Sequence, residues 1–162
     1  MNAKTKIVSL ERLKKIVSLL RRKNRKIAFT NGCFDLVHFG HVSYLTAAKK
    51  NNRILVVGVN SDSSVRRIKG KTRPITPQRA RAGVLAALAC VDYVVIFNED
   101  TPYRVIKALK PDILIKGADW QGKEIVGQDI VESHGGKIEL IKYINGFSTS
   151  RIIDRIVKNC AG

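Results

Sequence analysis

The eleven residues from Asn31 to His41, NGCFDLVHFGH, set two histidines three apart, an aspartate, a cysteine and two glycines directly behind an apolar run. Three chemistries use such a set: a metal centre, a cysteine nucleophile, or a cradle for phosphate. At a turn from strand into helix the backbone N–H groups are free and the helix dipole is positive, which favours an anion. Gly32 and Gly40 let the backbone approach that anion closely. His38 and His41 fall on one face of the first helical turn and can donate hydrogen bonds to its oxygens. Zinc fits less well, because the metalloprotease pattern needs histidines four apart beside a glutamate, and no third histidine or carboxylate stands at ligand spacing. A Cys33–His38 nucleophile pair stays open as a reading, although no third group that would orient it can be named.

For a cradle of this kind the chain must supply a strand before it and a helix after it. Strand-like runs stand at 26–30, 53–60, 91–97, 112–116 and 137–141, separated by helical stretches near 41–50, 77–89, 101–109, 124–133 and 149–158. The runs are rich in Val and Ile without strict alternation, as in a parallel sheet covered on both faces. The expectation is an α/β fold, Rossmann-like and doubly wound, with five parallel strands and its ligands at the strands' carboxyl ends. Residues 61–77, SDSSVRRIKGKTRPITP, are the most loop-like and cationic connection, and long connections in compact domains are often lids. Ser148 or Thr149 would cap the last helix, whose N-terminus is a second anion site. His134, before Gly135 and Gly136, suits a helix C-terminus and is given no catalytic role.

A chain of 162 residues, 44% of them hydrophobic, suffices for one domain with a real core. No apolar run approaches a membrane span and no signal-peptide core opens the sequence, so a soluble, cytoplasmic protein without membrane contact is expected. Three cysteines without CxxC spacing, Cys33, Cys90 and Cys160, indicate neither a disulfide framework nor a zinc knuckle. Of the net charge of +17, residues 1–26 hold +9, where Leu10, Leu13, Ile16, Val17 and Leu20 recur at helical spacing. That segment, 1–25, reads as an amphipathic basic helix laid on a domain spanning 26–162. A nucleic-acid-binding module using this helix is the alternative of a different class; with no DNA- or RNA-reading motif, nucleic acid is not an expected partner.

GCFDLVHFGH resembles the GxFDxxHxGH signature of the cytidylyltransferase-like nucleotidyltransferases, and FSTSRII at 147–153 is similar to the short Ser-Thr element that is their second mark. VNSDSSVRRIKGKTRPI, VDYVVIFNEDTPYRVIKALKPDILIKGADW and GGKIELI resemble the branch that adenylylates heptose 1-phosphate, over about residues 26–158. The resemblance implies transfer of AMP from ATP to D-glycero-D-manno-heptose 1-phosphate, giving ADP-heptose and pyrophosphate, a precursor of bacterial lipopolysaccharide core. It also implies Mg²⁺ bridging the ATP phosphates, no protein-held metal, and a homodimer. In many bacteria this domain is fused to a sugar kinase; here it is expected to stand alone.

Carried onto this sequence, the resemblance makes Cys33 and Phe34 backbone contacts to nucleotide and His38 and His41 phosphate ligands, with Gly40 between them. Asp35 would buttress the turn. Lys69 would reach the reacting phosphates, with Lys71 beside it, and Arg81 would face substrate phosphate. Lys116, Gly117, Ala118, Asp119 and Trp120 would hold nucleoside or acceptor, and Ser148 and Thr149 would complete the cradle. The bland reading of Arg66, Arg67, Lys69, Lys71 and Arg73 is a solvated basic loop. One departure is informative: the glycerol 3-phosphate cytidylyltransferase branch, the alternative within the family, has an arginine just before its Ser-Thr motif, and KYINGFSTS offers only Lys142.

Overall fold

All five apolar runs become strands, and every pairing among them is parallel: β1 (Lys26–Gly32), β2 (Arg53–Asn60), β3 (Tyr93–Phe97), β4 (Ile113–Gly117) and β5 (Lys137–Ile141). The order across the sheet is β3-β2-β1-β4-β5. It reverses between β1 and β4, so a crevice opens at the carboxyl ends of those two strands, where doubly wound sheets hold ligands. The computed structural model describes residues 2–50, 52–142, 144 and 146–160. Tyr143 and Asn145 of KYINGFSTS, together with Met1 and Gly162 at the ends of the two expected ranges, lie outside the described residues.

Successive residues of a strand point to opposite faces, and the core divides accordingly. Ile27 and Phe29 of β1 face a cluster with Val56, Val95 and Leu114, covered by α2 (Leu10–Arg22), α6 (Tyr103–Leu109) and α7 (Gln128–Ser133). Ala28 faces the other cluster, with Leu55, Val57 and Ile115, covered by α3 (Phe39–Ala48) and α5 (Gln78–Ala87). Gly58 of β2 is required by this packing, since a Cβ there would stand 2.8 Å from the Phe29 ring.

The N-terminal segment is two helices rather than one. Helix α1 (Ala3–Lys6) is followed by an extended link in which Ile7 bridges Val94 of β3, and Ser9 then caps α2 by accepting from the Arg12 N–H. Leu13 and Val17 of α2 are fully buried, and each such side chain stabilises the fold by about 1.5–3 kcal/mol. The cations of α2 stay outside.

The region 61–77 is only half loop, a correction to its reading as one long lid. Helix α4 (Asp62–Lys69) occupies its first half. Ser61 caps it, its Oγ accepting from the Ser64 N–H at 3.1 Å, and buried Ser64 donates to the Glu99 carbonyl at 2.9 Å. Gly70, at φ 99°, takes the backbone out of the helix in a conformation that favours glycine.

The edge strand β5 is tied to β2 by charge. Arg53 grips Glu139 with two hydrogen bonds, 2.6 and 3.2 Å, and Lys50 adds one at 2.5 Å. The Arg53 hydrogen bonds, against the opposing effect of burial and with help from Lys50, push the Glu139 carboxyl down to about 2 from 4.5. A carboxyl whose pKa is depressed by folding adds stability above its unfolded value and loses it as pH falls through its folded one. Glu139→Gln is therefore expected to lower stability by about 1–2 kcal/mol at pH 7, with the gap to wild type closing between pH 4.5 and 2, read from urea midpoints. A gap that does not change with pH would show the ion pair to be idle.

Candidate active site

The turn after β1 is built under strain. Phe34 adopts φ 47°, the left-handed region that a non-glycine residue enters only when its surroundings hold it there. Its buried ring does so, lying against Gly32, where a Cβ would be 3.1 Å away, and 5.2 Å from the His41 ring. His38 then occupies the N-cap of α3, and its ring stacks on that of His41 at 3.9 Å between centroids. The stack is possible because residue 40 is glycine: a Cβ there would meet both the His38 ring and Phe147 at 3.1 Å.

Burial, reinforced by His38 and opposed by the Leu36 backbone, pushes His41 down to about 4. Burial lowers His38 as well. At pH 7 His41 is therefore an uncharged imidazole, a group able to donate one hydrogen bond.

Above the β1/β4 crevice lies a cavity of about 450 Å³. One wall is the strained turn with His41; another is cationic, with Lys69 and Arg73; a third holds Lys116, Gly117 and Trp120 from the end of β4; the last is Thr149 and Ser150 from α8 (Thr149–Cys160). The Lys69 ammonium makes no ion pair among the described residues. Lys116 is 7% exposed, donates to Asn31 Oδ1 at 2.7 Å and lies 5.1 Å from the Trp120 ring centre. Burial lowers it to about 8 although Asp119 pulls the other way. A buried ammonium without a bonded carboxylate makes this cavity a place for anions.

Helix α8 begins as the sequence suggests a helix should. Ser148 caps it, its Oγ accepting from the Arg151 N–H at 3.2 Å. Thr149 reaches the Leu36 carbonyl at 3.5 Å and Phe147 packs beside His38 at 6.3 Å, so the start of α8 is docked on the turn after β1.

The structure therefore brings Cys33, Phe34, His41, Lys69, Lys116, Gly117 and Thr149 to one cavity, and leaves His38, Gly40, Asp119 and Ser148 behind or beside its walls. Arg81 departs from its expected place facing substrate phosphate. It is 1% exposed, and its guanidinium donates to the carbonyls of Cys33, Asn60 (2.8 Å) and Thr76 (2.9 Å) and to Asp62 Oδ1 (2.8 Å). Three segments of the chain meet on this one side chain, which spends four of its five N–H groups on them and does not line the cavity. Asn31, Asn60, Arg73 and Ser150 line the cavity without having been singled out as ligands. For Ser150 the signal was in view, as the third residue of the STS stretch.

Cys33 lines the cavity, and burial raises its thiol although Lys69, Arg81 and Arg73 pull it down. It makes no hydrogen bond to an imidazole among the described residues, so nothing activates it as a nucleophile. Cys33→Ser is expected to keep kcat/KM within about threefold. A nucleotidyl-thiol adduct trapped and seen by mass spectrometry would contradict this.

Residues 29–155 match the model of a family described as cytidylyltransferase-like. "Bifunctional protein HldE" of Geobacter metallireducens is 52% identical over 153 residues, 94% of this chain and 31% of that one. "Bifunctional protein HldE" of Campylobacter jejuni subsp. doylei is 54% identical over 151 residues, 93% of this chain and again 31% of the relative. The chain thus spans about a third of the length of the curated relatives it matches. Among solved structures, the lipopolysaccharide core biosynthesis protein from Thermoplasma volcanium is similar at TM-score 0.58 and 29% identity, over 74% of this chain and 96% of that one. Pantoate-beta-alanine ligase from Francisella tularensis, complexed with an ATP ligand and beta-alanine, is similar at TM-score 0.62 and 17% identity, over 96% and 79%, a likeness of fold.

Proposed function

The chain belongs to the cytidylyltransferase-like family, and on that footing we propose that it transfers AMP from ATP to D-glycero-D-manno-heptose 1-phosphate, releasing pyrophosphate. The observation that carries the reading is the convergence in one cavity of His41, Lys69, Lys116 and the first turn of α8. All are donors or cations, and both proposed substrates are anionic. The acceptor rests on the VNSDSSVRRIKGKTRPI and LKPDILIKGADW stretches, on the relatives called HldE, and on the likeness to a lipopolysaccharide core biosynthesis protein.

In this reaction an oxygen of the sugar phosphate attacks the α-phosphorus of ATP. The new P–O bond forms as the bond to pyrophosphate breaks, and pyrophosphate carries the charge away. No side chain need become covalently attached. Catalysis of this kind rests on holding the two phosphates in line and on stabilising charge that spreads over oxygens. His41, neutral, donates a hydrogen bond; Lys69 supplies positive charge from the end of α4; the N–H groups at the start of α8, with Thr149 and Ser150, receive another oxygen. Lys116 offsets charge at the crevice floor.

Mg²⁺ enters as part of the Mg–ATP substrate. The donor set suits that arrangement: Asp35 is fully engaged in hydrogen bonds and Asp100, at the cavity edge, pairs with Arg67 at 2.7 Å. Among the described residues no helix is long and apolar enough to cross a membrane. A cytoplasmic homodimer with no nucleic-acid partner completes the proposal.

The experiment is pyrophosphate release with each nucleoside triphosphate against heptose 1-phosphate, glycerol 3-phosphate and hexose 1-phosphates. The reading expects ATP with heptose 1-phosphate to dominate. Preference for CTP with glycerol 3-phosphate would move the chain to another branch of the family.

A further inference from the structure

We propose that Arg73 is a phosphate-recognition residue of this cavity and that Asp35 is the positioning residue that aims it. Asp35 sits in the turn after β1 with its side chain 1% exposed. Its carboxylate accepts from the Ile75 N–H (2.8 and 3.0 Å), the Thr76 N–H (2.8 Å) and Arg73 Nε (2.5 Å). Burial would raise its pKa, but the Thr76 and Ile75 N–H groups and the Arg73 guanidinium outweigh burial and hold it below the ordinary aspartate value. One carboxylate thus pins the second half of the 61–77 connection, some forty residues away in sequence, to the phosphate cradle.

The consequence falls on Arg73. Its Nε is committed to Asp35 and its side chain is only 18% exposed, yet neither Nη makes a hydrogen bond among the described residues. Arg73 lines the same cavity as Lys69, Thr149 and Ser150. A guanidinium held at Nε presents its remaining N–H groups in a fixed plane, the geometry that matches two oxygens of one phosphate. Lys69 differs in kind, being a flexible point charge on an exposed helix end. Arg73 therefore serves recognition, of a phosphate on either the nucleotide or the sugar, and its neighbour serves charge stabilisation.

The assignment takes its substrates from the proposed reaction, and its test separates the two. Arg73→Lys keeps the charge and loses the fork. In the full chain it is expected to raise KM for one of the two phosphorylated substrates about tenfold or more, with kcat changed less than about threefold. Which KM moves tells whether Arg73 holds the nucleotide or the sugar phosphate. Asp35→Asn is expected to raise the same KM, and the two changes combined should cost less than their product, since one acts through the other. Should Asp35→Asn fail to fold, Arg73→Lys and calorimetric titration with inorganic pyrophosphate and inorganic phosphate still decide. Weaker binding of either anion to Arg73→Lys supports the assignment, even where wild type turns over no substrate pair and the reaction itself has to be abandoned. A wild type that turns over, with Arg73→Lys matching it in both KM values and in both anion affinities, overturns the assignment and leaves the reaction standing.

Discussion

His41→Ala is expected to lower kcat by about a hundredfold or more while the protein stays folded, on the scale seen when one oriented donor to a developing oxyanion is removed. The side chain lines the cavity and belongs to neither core cluster, its ring contacts being Phe34 and His38. The neighbouring His38 cannot take over, because it lies behind the stack, against Gly40 and Phe147. The pH behaviour carries a second expectation. With its pKa pushed down to about 4 by burial and by His38, His41 is already neutral well above pH 5. The kcat/KM profile, which reports the free enzyme, should thus show no His41 inflection between pH 6 and 8. Near-normal kcat in a folded His41→Ala, by steady-state pyrophosphate release and circular dichroism, would remove the cradle from the mechanism.

Lys69→Ala is expected to lower kcat by about ten- to a hundredfold and to change KM for ATP less than kcat, the pattern of a contact made chiefly in the transition state. Lys69 ends α4, and its ammonium is exposed, cavity-facing and without an ion-pair partner among the described residues, so its loss costs the fold little. Restoring positive charge as Lys69→Arg should recover part of the rate. A rise in KM alone would place Lys69 in ground-state binding, beside Arg73.

The parts legible in the sequence were those written locally. Val- and Ile-rich runs with intervening helical periods announce five parallel strands, and HFGH behind such a run announces an anion site at a helix start, because both patterns span only a few residues. The start of α8 was legible for the same reason, Ser148 being a residue type that caps helices. What stayed hidden depends on approaches between distant segments. Asp35 meets Ile75 and Thr76 across forty residues, and Arg81 collects carbonyls from three segments. No spacing rule separates such an arginine from one that binds phosphate, which is why the sequence points Arg81 at substrate phosphate and leaves Arg73 as one of five loop cations with no role of its own. Helix α4 was masked by Asp-Ser-Ser-Val, residues of modest helix propensity, and forms because Ser61 caps it and Val65 is buried.

The central claim is that AMP passes from ATP to heptose 1-phosphate in this cavity. The most direct measurement supplies ATP labelled at the α-phosphate, Mg²⁺ and D-glycero-D-manno-heptose 1-phosphate, and follows where the label goes by chromatography and mass spectrometry. Transfer in this cavity predicts label in ADP-heptose, equimolar unlabelled pyrophosphate, and both formed at about a hundredth of the rate or less with His41→Ala. Label that remains in ATP while labelled CTP is consumed with glycerol 3-phosphate, or label that moves nowhere with a well-folded wild-type protein, would contradict it.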